Sequence, residues 1–298
     1  MKKCWTLVKA AFALVAINSS AADIDDEILK AANSSLVLAA FTVTPDVTTS
    51  SLSFDGARSA EADVDLFSIG GGYTLDNTLY LEGTIGLSRY EHVLENSPLS
   101  KDDYNWNSYT ATVGIGKDFI LNEAQTWVFR PIANITIGKT YSDSFFKGSS
   151  SINTRELEKD IFGYGGSLMF AYQQFFGDSE IEFEARYSFM RLYALHSSSQ
   201  LIEGDAYTNA LSLWGRSRTK TDLHLFSQPL RWVFEGSVTD FLGQHQEATD
   251  VDFLMSAGTG IEMDLAKHQL IVHKLRVIGR YMQGEDIQGY SVSFAVSF

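Results

Sequence analysis

The residues with the clearest potential for chemistry are a histidine and a serine separated by one position. His196 is followed by Ser198, and Asn209 comes a little further along the chain. In a Ser-His-Asn triad the serine attacks an acyl carbon, the histidine takes its proton and the asparagine orients the imidazole ring. These three residues therefore raise the hypothesis of an acyl hydrolase.

The alternation of side chains around these residues argues against a lipid substrate. Successive side chains of a strand point to opposite faces. His196 and Ser198 share their parity with the charged Glu184, whereas Asn209 shares its parity with two nearby leucines. Only a β-bulge would turn the histidine and the serine towards lipid. We therefore predict no catalytic residue and no enzyme activity, with a membrane-embedded lipid hydrolase as the alternative.

The remaining ligand-type residues predict neither a metal site nor a cofactor. His268 and His273 lie near Asp264 but lack the spacing of metal ligands, and a further histidine stands alone at His224. Cys4 is the only cysteine, and it lies in a segment that we expect to be removed. Disulfides, cysteine-zinc sites and thiol catalysis are therefore excluded from the mature chain.

Charged residues that alternate with apolar ones form the second candidate set. Between Ile181 and Phe189 every second residue is charged or polar. A basic residue on a lipid-facing surface near the membrane midplane costs about 2–4 kcal/mol. We therefore expect these charges to line a polar lumen and to form salt bridges there, whether the lumen is an open pore or is plugged. The predicted lumen charges are Glu182, Glu184, Arg186, Glu262, Asp264, Arg276 and Arg280.

The same alternation recurs along the chain and predicts an all-β protein, a transmembrane antiparallel β-barrel of about 12 strands. Pro131 inside the fifth run predicts a β-bulge. Four tryptophans suit the aromatic belts of a membrane interface, namely Trp106, Trp127, Trp214 and Trp232. The predicted strands lie at about residues 34–44, 63–75, 78–91, 105–119, 125–140, 161–176, 179–195, 206–217, 230–242, 251–265, 269–283 and 290–298.

The connections between these runs differ in length at the two ends of the predicted barrel. Most long polar connections fall at one end and most short ones at the other, as in outer-membrane barrels. Residues 218–229 are an exception, because that connection is long for the short-turn end. An even number of strands predicts that both termini lie on the short-turn side, in the periplasm.

The C-terminal strand has one wholly apolar face. Its large residues are Tyr290, Val292, Phe294, Val296 and Phe298, and small or polar residues occupy the positions between them. The strand resembles the terminal strand of bacterial outer-membrane barrels, which ends in Phe and acts as an assembly signal. The resemblance implies outer-membrane lipid, the β-barrel assembly machinery and periplasmic chaperones as partners.

The N-terminal residues 1–22 have the three parts of a secretory signal peptide. Lys2 and Lys3 precede an apolar run, and small residues up to Ala22 follow it. We expect residues 23–33 to form a short helix or plug, because acidic residues open this stretch and Lys30 lies near its end. The barrel would then occupy residues 34–298. The formal net charge of −14 argues against a nucleic-acid partner, and we expect a monomer.

Twelve strands, a short N-terminal helix and a terminal Ser297-Phe298 resemble the translocator domain of autotransporters. The resemblance implies an outer-membrane barrel that is structural or pore-forming, here without a secreted passenger. The spacing of His196, Ser198 and Asn209 is similar to that in outer-membrane phospholipase A, another twelve-stranded barrel. That second resemblance implies the hydrolase alternative.

Overall fold

The computed structural model describes residues 29, 32–33, 36, 50–58, 62–93, 103–142, 157–242, 252–265, 273–285 and 287–297. Almost all of them lie in antiparallel β-strands. Within these ranges, no helix is long and apolar enough to cross a membrane. The predicted signal peptide and Phe298 lie outside the described residues.

The described residues form thirteen strands and one short 3-10 turn, η1, at Gln200–Ile202. The strands are β1 (Ser50–Arg58), β2 (Ala62–Thr74), β3 (Leu79–Val93), β4 (Asp103–Lys117), β5 (Phe119–Ile120), β6 (Trp127–Ser142), β7 (Leu157–Phe176), β8 (Ser179–Ser197), β9 (Ala206–Leu225), β10 (Gln228–Leu242), β11 (Phe253–Asp264), β12 (Lys274–Gly284) and β13 (Gln288–Ser297).

The strands close into a ring. Neighbours in sequence pair antiparallel, β4 pairs with β6, and β1 pairs with β13. The closing ladder runs from Ser50 opposite Val296 to Arg58 opposite Gln288. The two-residue β5 extends β4 along β6, so the ring has about 12 strands and the predicted barrel is confirmed. Closure leaves no edge of the sheet unpaired.

Pro131 interrupts the hydrogen-bond ladder but does not shift its register. β4 pairs with β6 as far as Gly116 opposite Ile132, and β5 resumes the pairing at Phe119 opposite Phe129. Both sets of pairs have the same register, so the predicted bulge is absent. Proline has no N–H to donate, which accounts for the short gap between β4 and β5.

The first strand begins later than predicted. The ring starts at Ser50, inside a stretch that we expected to be a loop, and Leu36 in the predicted strand is helical. The other residues of that predicted strand after Leu36 lie outside the described ones up to residue 49. The run at 34–44 is more apolar than the serine-rich β1, so hydrophobicity favoured the wrong segment.

The connections define two ends of the barrel. The turn end has the short hairpins at 75–78, 177–178 and 226–227, the longer connection 265–273, the first residue of β1 and the last residues of β13. The loop end has four longer connections, at 94–102, 143–156, 198–205 and 243–252, and two short ones, at 59–61 and 285–287. The long turn-end connection predicted at residues 218–229 is wrong, because β9 continues to Leu225. Only Phe226 and Ser227 form the turn, with φ of 50° and 64°. Two positive φ values are typical of a tight hairpin turn.

The outer face of the ring is apolar and the inner face is polar. Residues such as Val113 (63% exposed) and Ile137 (59% exposed) point outwards. Trp127 and Trp232 also lie on the outer face and are about 40% exposed. The other two tryptophans do not lie on this face, since Trp106 is fully buried and Trp214 is 7% exposed. The predicted interfacial position is therefore wrong for Trp106 and Trp214, which share strand parity with interior residues.

Candidate functional site: the charged barrel interior

All seven predicted lumen charges lie on inward-facing positions of three strands. Glu182, Glu184 and Arg186 belong to β8. The remaining four belong to β11 and β12, and they are Glu262, Asp264, Arg276 and Arg280. β8 is not a neighbour of β11 or β12 in the ring, so contacts between the two groups have to cross the interior.

Arg218 of β9 makes such a contact. Its Nη2 lies 2.7 Å from Oε1 of Glu180, and its Nη1 lies 3.2 Å from Oε2 of Glu262. Arg218 also pairs with Glu182, which in turn accepts a hydrogen bond of 2.6 Å from Nε of Arg216. The side chain of Arg218 is only 4% exposed. Its charge is therefore stabilised by carboxylates and not by bulk water.

Glu262 is the most enclosed carboxylate of this group, with no exposed side-chain area. Nη2 of Arg276 lies 3.0 Å from its Oε2. Nε of Arg231 and Nζ of Lys274 approach its Oε1 at 3.9 and 4.0 Å. Arg231 also reaches Asp264 at 3.4 Å, so it links the two acidic residues of β11.

A second group of charges lies across the ring. Nη2 of Arg186 donates to Oε1 of Glu82 at 2.8 Å, and the hydroxyl of Tyr80 donates to the other oxygen at 3.2 Å. The guanidinium of Arg130 stacks on the ring of Tyr80 at 3.8 Å and donates to Oδ2 of Asp118 at 2.9 Å. Cation–π stacking and the ion pair together stabilise this buried arginine.

Together these residues form an ionic belt in the turn-end half of the barrel. Arg280, which pairs with Glu235 and donates to Ser291 at 3.3 Å, extends it to β13. The belt has equal numbers of basic and acidic residues, so it carries no net charge when all are ionised. Its members are Arg130, Arg186, Arg216, Arg218, Arg231, Lys274, Arg276, Arg280, Glu82, Asp118, Glu180, Glu182, Glu184, Glu235, Glu262 and Asp264.

The seven predicted charges are fewer than half of the belt, and nine members lie outside that set. Arg216 was placed at the end of a strand, and Arg218 was assigned to a turn. The alternation places Glu82 and Lys274 on the inward face and Glu235 among the lumen charges, and Glu180 has the same inward parity. Which charges pair could not be read from the sequence, because the partners lie on strands that are distant along the chain.

A short N-terminal stretch contacts the loop-end half of the interior. The described residues Leu29, Ala32, Asn33 and Leu36 are in helical conformation, at spacings that share one helix face. Leu36 is fully buried in a cluster with three residues of the wall, Ile161, Leu192 and Ala206.

Lys159 of β7 ties this stretch to the barrel. Its Nζ donates to Oδ1 of Asn33 at 3.0 Å and to the carbonyl oxygen of Gly204 at 2.5 Å. Lys159 is 1% exposed, so these acceptors replace the water that its ammonium group would otherwise bind.

The hydrolase residues do not come together. The register of β7 with β8 shifts between Asp160 and Ile161, and His196 lies opposite Asp160 with its side chain exposed. The bulge that the parity argument required is present, so the inward orientation predicted for His196 is wrong. Asn209, however, lies opposite Phe189, seven residues before His196 on β8 and roughly 23 Å away along the strand. That separation prevents an Asn209–His196 hydrogen bond.

Ser198 has a structural contact. Its hydroxyl accepts a hydrogen bond of 2.8 Å from the backbone N–H of Glu158, which joins the ends of β7 and β8. Across the described ranges, no group of three or more acidic, histidine or cysteine residues could hold a metal ion.

The predicted assembly residues follow the outer face of β13. Tyr290, Val292 and Phe294 are 73%, 44% and 47% exposed, and Val296 is half-buried next to the turn end. Inward-facing Ser291 and Ser293 are buried.

The comparisons with known proteins agree with this architecture. Residues 43–186, just under half of the chain, match the model of the autotransporter β-domain. Over these residues the chain is similar to the autotransporter β-domain, and its fold is that of an outer-membrane β-barrel. The match begins just before β1 and ends within β8, so it includes β1 to β7 and the first part of β8.

Two solved autotransporter barrels have the same fold as this chain. The transport unit of the autotransporter AIDA-I from Escherichia coli is 10% identical, with a TM-score of 0.58 over 91% of this chain and 98% of that chain. The translocator domain of the autotransporter NalP from Neisseria meningitidis is 12% identical, with a TM-score of 0.51 over 94% and 96%. Curated protein sequences give no match.

Proposed function

We propose that this protein is a structural outer-membrane barrel whose lumen is closed, and that it has no enzyme activity and no cofactor. The burial of the ionic belt carries this proposal. Glu262 is 0% exposed, and the Arg276 side chain is 2% exposed, although both point into the interior of the ring. In an aqueous channel such side chains would be accessible to water.

Neutrality of the belt supports the same function. A pore that selects ions by the sign of their charge has a ring of one charge sign at its constriction. Here each basic group faces an acidic one, so the attraction acts within the belt and not on a solute. At the loop end, the contacts of Lys159 and Leu36 hold the N-terminal stretch against the wall.

Planar-bilayer recordings test whether the lumen is closed. We expect no steady conductance for the wild type. We expect a steady conductance for the triple variant Arg218→Ser, Glu262→Ser and Arg276→Ser, because it removes the side chains that fill the turn-end half. A wild type that conducts as steadily as this variant would show that the lumen is an open pore.

A matched control removes the same charges from the outer face. Lys139→Ser, Glu158→Ser and Arg191→Ser delete two basic residues and one acidic residue, as the belt variant does. These side chains are 35–41% exposed on the outer face. The control should remain silent, because it leaves the interior unchanged.

We also propose that the turn end faces the periplasm, with both termini there. Three of the turn-end connections have only two to four residues and the ends of β1 and β13 lie there too, whereas four loop-end connections have eight residues or more, as expected for outer-membrane barrels. Cysteines introduced at Glu203 and at Asp178 report the two ends. An impermeant maleimide should label the first, and not the second, in intact cells; the reverse pattern would invert the proposed orientation.

The proposed partners follow from the surfaces. The apolar outer face fits outer-membrane lipid, and the exposed apolar row of β13 fits recognition by the β-barrel assembly machinery after delivery by periplasmic chaperones. The barrel closes on itself through β1 and β13 and needs no second chain to cover a sheet edge, which supports a monomer. The acidic chain supports the absence of a nucleic-acid partner.

A further inference from the structure

An arginine lies among tyrosines on the outer face, near the loop end. Arg191 of β8 follows the outward-facing Tyr187 and Phe189 at two-residue spacing, so it shares their face. In the neighbouring strands Tyr164 and Tyr207 lie directly opposite Arg191. β9 begins at Ala206, so the arginine is close to the loop-end rim of the β8–β9 pair.

The tyrosines form a cage around the guanidinium. Its central carbon lies 4.6 Å from the ring centre of Tyr193 and 4.6 Å from that of Tyr207. The hydroxyls of Tyr164 and Tyr193 lie 3.1 Å apart, and this contact fixes the position of the Tyr193 ring. Cation–π contacts of this kind hold the cation in one place without neutralising its charge.

The guanidinium of Arg191 has few hydrogen-bond acceptors within the protein. Its Nη2 lies 3.4 Å from Oδ2 of Asp205, a long contact, and its Nε is buried without a hydrogen-bond acceptor, so a ligand would meet the terminal nitrogens. The side chain is 41% exposed. A planar guanidinium with unused donors is well suited to a phosphate group.

The position of the cage indicates where that phosphate comes from. Tyrosine belts lie at the level of the lipid head groups. The loop end faces the outer leaflet if the orientation under Proposed function is correct, and this inference depends on that orientation. We propose that the site formed by Arg191, Tyr193 and Tyr207 binds a phosphate group of lipid A, the phosphorylated anchor of lipopolysaccharide.

Native mass spectrometry of the folded protein in detergent tests the site. The probes are diphosphorylated lipid A, lipid A without phosphate groups and phosphatidylglycerol, each titrated separately. The wild type should retain diphosphorylated lipid A in preference to the other two. Arg191→Gln should weaken that retention about tenfold, the size of effect expected for loss of a charge-assisted contact.

Lys139→Gln is the matched control. Lys139 is a cation of similar exposure on the same outer face, but Glu158 and Asp160 both contact its ammonium group. Retention of lipid A should be unchanged in this variant. Heat-dependent migration on gels shows whether each variant is folded, and Arg191→Lys should recover only part of the retention, since it keeps the charge but not the planar group.

Several outcomes would overturn the proposal. They are equal retention by wild type and Arg191→Gln, equal loss in Arg191→Gln and Lys139→Gln, and retention of phosphatidylglycerol as strong as that of lipid A. Binding in detergent does not depend on membrane orientation or on the state of the lumen. Failure of the proposed orientation would appear in the maleimide labelling, and failure of the closed lumen would appear in the bilayer recordings.

Discussion

Arg218 on β9 donates a hydrogen bond to Glu262 on β11, with 3.2 Å between Nη1 and Oε2, although β10 lies between the two strands. The same guanidinium reaches Glu180 on β8 at 2.7 Å. One side chain thus connects three strands through the interior, whereas the backbone ladder connects each strand only to its neighbours. Both partners of the Arg218–Glu262 pair are almost inaccessible to water.

Loss of one partner should therefore destabilise the barrel strongly. Arg218→Met leaves Glu180 and Glu262 buried with fewer counter-charges, a situation that costs about 3–5 kcal/mol in unfolding free energy. The measurement is denaturant unfolding of the folded barrel, followed by its heat-dependent gel migration. Lys139→Met is the control, since it breaks an exposed pair with Glu158 and should have a much smaller effect. Equal effects of the two substitutions would mean that the buried pair does not stabilise the barrel.

Alternation of side chains predicted the barrel and most of its strands because that information is local. The strand at 179–195, for example, is observed as Ser179–Ser197. Parity also identified Glu262 and Arg276 as interior charges, and they lie within 3.0 Å of each other. Local alternation does not say which distant strands face each other, so the contacts of Arg218 could not be predicted.

The wrong predictions for His196 and Trp106 also have physical causes. One additional residue, Leu195, shifts the register of β8 against β7 and turns His196 outwards. A bulge of this kind depends on the pairing with the neighbouring strand and not on the sequence of β8 alone. Trp106 was placed by residue type, although its parity matches that of the interior Ser108. Where type and parity disagreed, parity was the better guide.

Lys159 should control the position of the N-terminal stretch. Lys159→Met removes both donated hydrogen bonds, to Asn33 and Gly204, and should expose the buried stretch. A cysteine introduced at Ala32, which is 0% exposed, should react with a thiol reagent several times faster in this background. Asn33→Asp should slow the reaction, because a carboxylate adds an ion pair to the ammonium. Equal reaction rates in all three backgrounds would contradict this role of Lys159.

The separation of Asn209 from His196 predicts that no lipid hydrolysis depends on these residues. Wild type, His196→Ala and Ser198→Ala should all show background phospholipid turnover in detergent. Ser198→Ala should instead loosen the loop-end junction of β7 and β8, since its hydroxyl accepts from Glu158 N–H. Hydrogen exchange of the Glu158 amide measures that change. Wild-type turnover that is lost in both variants would favour the hydrolase alternative over the structural barrel.

Assembly should depend on the outer face of β13 and much less on its inner face. Phe294 is 47% exposed among apolar neighbours, opposite Val277 of β12. Phe294→Asp places a carboxylate on the lipid-facing surface and removes an aromatic from the row that we propose as the assembly signal, so less protein should reach the outer membrane in folded form. Ser297→Asp is the control, because Ser297 lies opposite Lys274 at the turn end, where an acidic side chain can pair with that lysine. The readout is the heat-modifiable fraction in outer membranes. An equal loss for both substitutions would mean that β13 is sensitive to any added charge, and that its apolar face is not specifically recognised.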